Sequence, residues 1–429
     1  MQRQFLPSFA CLLLFIAFLR SCTLVISQRT DLDSPENLRL YRLLRLGVYN
    51  VFGRTSTDAR SLDVAKNLNI VQTRIPDDVS FPCDVKGWRS LIPPTSVHRL
   101  KPGDIDIIAS MGDSLSAGTG VFGSNLLHLL IDNRGVTAAG GGQATWREYL
   151  TLPNILKEFN PNLYGYATAD SSTLEEVSKF NVAEISAESK DMPYMASILI
   201  KRLKNDPKVD MANHWKHISL MIGSNDFCTE MCYASSESEF LKDHERDIVK
   251  TLRIIRDNVP RAFVSLIPPP NLSELVFSRK GRPSLYCDLT TDFECPCMFG
   301  LKHQKKKQEY YTTMARWQWV EYKISRYPEF QRDDFAVVIQ PLLMNTTLPV
   351  LADGYTDTTY LATDCFHITQ KMNAIYANTL WNSLLLPLSE KPINVIKNFE
   401  KFLCPTKERP YLSTYSNEGM TENSLNGVT

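Results

Sequence analysis

The chain lacks an excess of charge of either sign: 47 Lys and Arg balance 47 Asp and Glu over 429 residues. A nucleic-acid partner normally demands a basic excess, so that class loses support. Long apolar runs are also missing after the N-terminus, which predicts no membrane-spanning helix in the mature chain. No internal repeat at a solenoid period is present. The spacing of Cys and His does not match a zinc site, and neither a metal nor another cofactor is expected. With 43% apolar and 22% charged residues, the composition is that of an ordinary folded protein.

The N-terminus carries a short apolar run. Arg3 opens it, Leu12–Leu19 forms its core, Arg20 interrupts it, and Ser21 and Ser27 follow. This pattern predicts a signal peptide over 1–27 and a secreted, extracellular protein. Without Cys11 and Cys22, eight cysteines remain: Cys83, Cys228, Cys232, Cys287, Cys295, Cys297, Cys365 and Cys404. An even set in a secreted chain predicts disulfides, although the pairing is not readable. Sequons at Asn271-Leu272-Ser273 and Asn345-Thr346-Thr347 are candidate glycosylation sites.

Residues 28–100 read as a peripheral segment. Within it, Glu36–Leu46 places Arg39, Arg42 and Arg45 among leucines. A surface helix packed on the main domain is the preferred reading, with a helix resting on a membrane as the alternative. Four short apolar runs predict buried strands: Ile105–Ala109, Ile218–Ile222, Ala262–Ile267 and Phe335–Ile339. A weaker one covers Phe180–Ile185. Helical patterns at Met195–Leu203, Glu239–Asn258 and Gln308–Tyr327 alternate with them. The expected fold is a three-layer α/β/α domain over 101–404, with a parallel sheet of about five strands. Residues 405–429 read as a flexible polar tail. The stretch Asn271–Leu301 reads as a surface insertion, with a disulfide-pinned flap as the alternative.

Sites in open parallel sheets form beyond the carboxyl ends of the strands. Three polar turns fall there. Gly112-Asp113-Ser114-Leu115 follows the first strand. Its serine is a candidate nucleophile, although Asp and Ser also cap helices. Residue 116 is serine, so this is not the Gly-x-Ser-x-Gly elbow. Gly223-Ser224-Asn225-Asp226 follows a later strand, and Asn225 there is a candidate oxyanion donor. Near the end of the core, Asp364-Cys365-Phe366-His367 spaces an acid and an imidazole for a catalytic pair.

Three such blocks in this order resemble the GDSL (SGNH) hydrolases. Within them the chain is most similar to the animal phospholipase B group. Phe81-Pro82-Cys83, Thr151–Leu156, Asn181-Val182-Ala183, Asp191-Met192-Pro193, Pro260–Phe263, Asp334–Val338 and Asp364–His367 carry that similarity. The resemblance implies a flavodoxin-like fold and hydrolysis of phospholipid and lysophospholipid esters at a membrane or micelle surface, through an acyl-serine intermediate. It implies Ser114, Asp364 and His367 as the catalytic set, with Gly112, Asp113, Gly223 and Asp226 in support. Ser114, Ser186 and Asn225 are then the oxyanion donors. Ser186 stands where the family has glycine, so positive φ would strain it. Relatives in this group carry several repeats and a membrane anchor, whereas this chain reads as a single secreted unit. Two other readings stay open: a carboxylesterase or acetyl esterase on small esters, and an inactive secreted glycoprotein that binds lipid or protein.

Overall fold

Near-continuous burial along four parallel strands covers both faces of one sheet. The computed structural model describes residues 35–278, 284–395 and 397–418. The expected signal peptide at 1–27 lies outside the described residues.

Helices α1 (Pro35–Phe52) and α2 (Ala59–Asn67) precede the sheet. Strand β1 (Ile105–Gly112) leads directly into the short helix α3 (Ser114–Ala117). Then come α4 (Leu152–Phe159), α5 (Met192–Asn205), β2 (Trp215–Met221), α6 (Glu237–Asn258) and β3 (Ala262–Leu266). The following insertion holds α7 (Ser273–Phe277), α8 (Leu285–Glu294) and α9 (Pro296–Phe299). Helix α10 (Lys307–Ile324), strands β4 (Gln331–Arg332) and β5 (Phe335–Ile339), and helix α11 (Gln370–Leu385) complete the fold.

The sheet order is β1-β2-β3-β5-β4. Its first four strands pair in parallel, and β4 is antiparallel to β5. Because side chains alternate along a strand, one sequence feeds two cores. Ile105, Ile108, Phe263 and Val338 face α4 and α11 through Leu152, Ile155, Phe159, Trp381 and Leu384. Ile107, Ile218, Leu220, Val264 and Val337 face α5, α6 and α10 through Leu199, Leu203, Ile248, Leu252 and Ile324. This is the three-layer α/β/α arrangement that the alternating pattern predicts.

The weak candidate at Phe180–Ile185 is not a strand. It meets β1 at Ser110, whose N–H donates to Phe180 and whose carbonyl accepts from Val182, and at the last residue of the strand, where the Glu184 N–H donates to Gly112. The neighbouring rung on that edge, Ile108 N–H to the Tyr164 carbonyl, belongs to another segment. Two segments share one edge, so neither builds a ladder. The fifth strand is instead the two-residue β4.

The peripheral segment packs on the domain. Val48 and Tyr49 of α1 bury against Ile131, and the buried Arg45 pairs with the buried Asp132. The reading of 405–429 as a flexible tail does not hold for 405–418. Leu412 is buried and its N–H donates to Leu100, while the Ser413 N–H donates to Leu384. Leu412 joins the core beneath α11, and that burial outweighs the polar composition around it.

Candidate active site

The carboxyl ends of β1 and β2 approach so closely that a Cβ on Gly112 would lie 2.2 Å from the Met221 carbonyl oxygen. Gly112 also takes a positive φ of 149°. Glycine is therefore required where the chain turns out of the sheet. Asp113 then caps α3, its carboxylate accepting from the Leu115 N–H at 2.9 Å. Asp113 thus takes the capping place that Gly-Asp-Ser-Leu allows, and Ser114 opens the helix with its hydroxyl directed at an imidazole.

That imidazole is His367. Its Nε2 lies 2.7 Å from Ser114 Oγ, and its Nδ1 lies 2.5 Å from Asp364 Oδ2. The other Asp364 oxygen accepts the Phe366 and His367 backbone N–H groups, each at 3.0 Å. All three side chains are buried. Burial pulls the His367 pKa down, but the charge and hydrogen bond of Asp364, with Glu294 and Asp113, outweigh it and lift it to about 9. Burial pushes Asp364 up, and the charge and hydrogen bonds of His367 return it below the usual carboxylate range. Asp113 is pushed up to about 6, chiefly by burial.

A loop carrying Ser186 is fastened between the first two turns. The Glu184 N–H donates to the Gly112 carbonyl at 3.1 Å, and Asn225 Nδ2 donates to the Ala187 carbonyl at 2.8 Å. An amide nitrogen carries two hydrogens, which leaves Asn225 a second donor. Asp226 does not face Ser114. Its buried carboxyl accepts the Ser189 N–H at 3.1 Å and so braces the same loop. A Cβ on Gly223 would lie 2.8 Å from Pro269 and from Trp317 Nε1. Asn181 donates to the Ser116 carbonyl at 2.9 Å and accepts from the buried Arg134 at 3.2 Å. Ser186 itself is exposed, with φ at 62°, in the region that disfavours side chains other than glycine.

Sequence reasoning missed Glu294, at the end of α8. One ligand-type atom from each of Glu294, Asp364 and His367 lies within 4.8 Å of the other two. Burial, then the Asp364 charge, pushes the Glu294 carboxyl up to about 8. Both His367 ring nitrogens are already engaged, Nε2 by Ser114 and Nδ1 by Asp364. No local pattern announces Glu294. It arrives because disulfides Cys228–Cys295, Cys232–Cys297 and Cys287–Cys365 pin α8 and α9 beside the Asp364–His367 turn. Thr290 Oγ1 adds a bond to the Asp364 carbonyl at 2.8 Å. Residues 284–301 of the insertion are thus pinned by disulfides, the part of the flap reading that the described residues bear on. With Cys83–Cys404, all eight predicted cysteines are paired. That set fits an oxidising compartment.

Beside the serine opens an apolar cavity of about 80 Å³. Leu115, Ser224 and Phe366, the chain neighbours of Ser114, Asn225 and His367, line it together with Leu275, Leu348 and Met372. Of the two sequon asparagines, Asn345 is exposed. Asn271 is half-buried at the cavity, with its amide donating to the Tyr311 carbonyl at 3.2 Å.

The family model for GDSL-like lipase/acylhydrolase matches residues 108–380. The chain belongs to this family of ester hydrolases. It is 36% identical over 330 residues to "Phospholipase B1, membrane-associated" of Homo sapiens, a match covering 76% of this chain and 22% of that protein. The protein of the same name in Rattus norvegicus is 35% identical over 327 residues, with the same shares covered. The chain therefore spans about a fifth of the length of these relatives. No helix among the described residues is long and apolar enough to cross a membrane.

Proposed function

We propose that this GDSL-family hydrolase is a secreted serine esterase that cleaves acyl esters of phospholipids and lysophospholipids. The observation that carries the reading is the Ser114–His367–Asp364 chain of hydrogen bonds opening beside an apolar cavity. Ser114 Oγ attacks the ester carbonyl carbon while His367 Nε2 takes its proton. Asp364 orients the imidazole and stabilises its charged form. The Ser114 and Ser186 backbone N–H groups and the Asn225 amide hold the oxyanion. The ester C–O bond breaks, and His367 returns the proton to the departing alcohol. Water then attacks the acyl-serine with His367 again as base, releasing the fatty acid.

The relatives' name supports the phospholipid class, and the apolar lining of the cavity suits the first carbons of a hydrocarbon acyl group. The paired cysteines support secretion. Purified protein should release fatty acid from lysophospholipid micelles and prefer long-chain to acetyl esters. Ser114→Ala should lower the rate by about 10⁴-fold or more and abolish labelling by a fluorophosphonate. Asn225→Ala should cost about 10²–10³ in kcat. Preference for acetyl esters would establish the small-ester reading instead. An unlabelled Ser114 would establish an inactive binding protein.

A further inference from the structure

Helix α8 is amphipathic in the inverse sense. At about 100° per residue, Cys287, Thr290, Thr291 and Glu294 share one face, and Leu285, Leu289 and Phe293 share the opposite one. The polar and cysteine face points inward. Cys287 is bonded to Cys365, Thr290 donates to the Asp364 carbonyl, and Glu294 stands beside His367. The apolar face points to water: Leu285 is 76% exposed, Leu289 65% and Phe293 63%. Leu301, 89% exposed, lines a shallow groove together with Leu289.

We propose that this outer face of α8, with Leu301, is the surface by which the enzyme docks on phospholipid aggregates. The inference rests on the lipolytic reading and adds the docking residues to it. Single exposed leucines are ordinary, but three exposed apolar side chains on one helix face, with exposed Asp288 and Asp292 beside them, form a patch that marks an interaction site. Three observations identify that partner as a lipid surface. The stripe rides on the helix that is covalently tied to the Asp364–His367 turn, so whatever it enters lies one helix diameter, roughly 10–12 Å, from that turn. A second exposed apolar pair, Leu126 and Leu127, flanks the other side of that turn, where Thr363 Oγ1 donates to the Asn125 carbonyl at 3.4 Å. Exposed Lys302, Lys305 and Lys306 follow Leu301 directly, at the level where an inserted leucine would meet phosphates. An apolar stripe bordered by these lysines on one side and by Asp288 and Asp292 on the other matches a phospholipid headgroup layer that carries both signs of charge.

The test separates docking from chemistry. Full-length protein carrying Ser114→Ala should co-sediment with phosphatidylcholine vesicles, and better when phosphatidylserine is included. Adding Leu285→Ser, Leu289→Ser and Phe293→Ser should lower the bound fraction at least about tenfold. In the Ser114 background the same three changes should leave hydrolysis of soluble p-nitrophenyl butyrate at the parental rate. Lys305→Glu with Lys306→Glu should weaken only the phosphatidylserine-dependent part. Unchanged vesicle binding in the triple variant overturns the proposal. So does a fall in soluble-ester hydrolysis equal to the fall on vesicles, because the stripe would then serve the fold. So does concentration-dependent self-association removed by the three changes, which would assign the face to a second copy of the chain. Failure of the lipolytic reading has a different signature: soluble-ester hydrolysis without fatty-acid release from lysophospholipid, whatever the vesicles bind.

Discussion

His367 stands among three carboxyl groups, and the balance of their charge against its burial sets the pH at which it would act as the proposed base. Burial alone would favour the neutral ring. Asp364, Glu294 and Asp113 together favour the charged one, and the ring ends at about 9. A general base must be neutral, so activity should fall as pH drops through the apparent pKa of the cluster. For a soluble ester, kcat/KM should therefore climb from neutral pH into the alkaline range. Glu294→Gln removes one group that holds the proton on the ring, so the limb should move to lower pH while Ser114 stays reactive. A limb that stayed in place, or moved up, would show that Glu294 does not contribute. Ser186 raises a different issue. Its φ of 62° costs a side chain roughly 1–2 kcal/mol, and glycine returns part of that gain as extra freedom when unfolded. Ser186→Gly should raise stability by roughly 0.5–1 kcal/mol in chemical denaturation without lowering kcat. Loss of stability would mean that the serine side chain makes up for its strain. At this scale the sequence is legible where chemistry is local. Ser114, Asp364 and His367 each sit in a short motif beyond the sheet, whereas Glu294 owes its position to disulfides whose pairing no motif encodes.

Elements were legible where periodicity is long. Helices α5, α6 and α10 and strands β1, β2, β3 and β5 fall on the expected runs, because each buries a stripe or a face repeatedly. Phe180–Ile185 misled because apolar residues on a sheet edge look alike whether they make isolated rungs or a full ladder. The insertion was ambiguous because α8 turns its apolar side outward, against the rule that reads burial from hydropathy. The two sequons looked equivalent in the sequence, and their elements separate them. Asn271 stands just before α7, where its carbonyl oxygen accepts the Ser273 N–H at 3.0 Å and its amide is bonded to Tyr311. Asn345 lies exposed in the loop beyond β5. On protein from a secreting eukaryotic host, peptide mapping after enzymatic deglycosylation should find the conversion to aspartate at Asn345 and not at Asn271. A glycan on Asn271 would require the cavity wall to open, and finding one there would contradict the wall described above.

The whole molecule is closed by contacts between its ends. Cys83 and Cys404 are joined across a sequence separation of 321 residues. Around them Phe81 packs edge-on against Trp146, Phe159 and Phe402, and Trp381 Nε1 donates to the Leu403 carbonyl at 2.7 Å. Residues 405–418 then run back to Leu100 and the end of α11. Charge and composition made 405–418 look like a tail because few apolar residues signal the packing, chiefly Leu412 and Tyr415, and the long-range disulfide is revealed only by the fold. The other three disulfides close separations of 67, 65 and 78 residues within the catalytic half. In the chain-entropy view the long link restricts the unfolded chain most. Cys83→Ser with Cys404→Ser should then lower unfolding free energy by about 2–5 kcal/mol while leaving kcat on a soluble ester unchanged below the new midpoint. The bond lies outside the hydrogen-bonded set around Ser114, so its loss should act on stability alone. A drop in kcat under fully native conditions would instead mean that the closure of the two ends holds α11, and with it the His367 turn, in its working position.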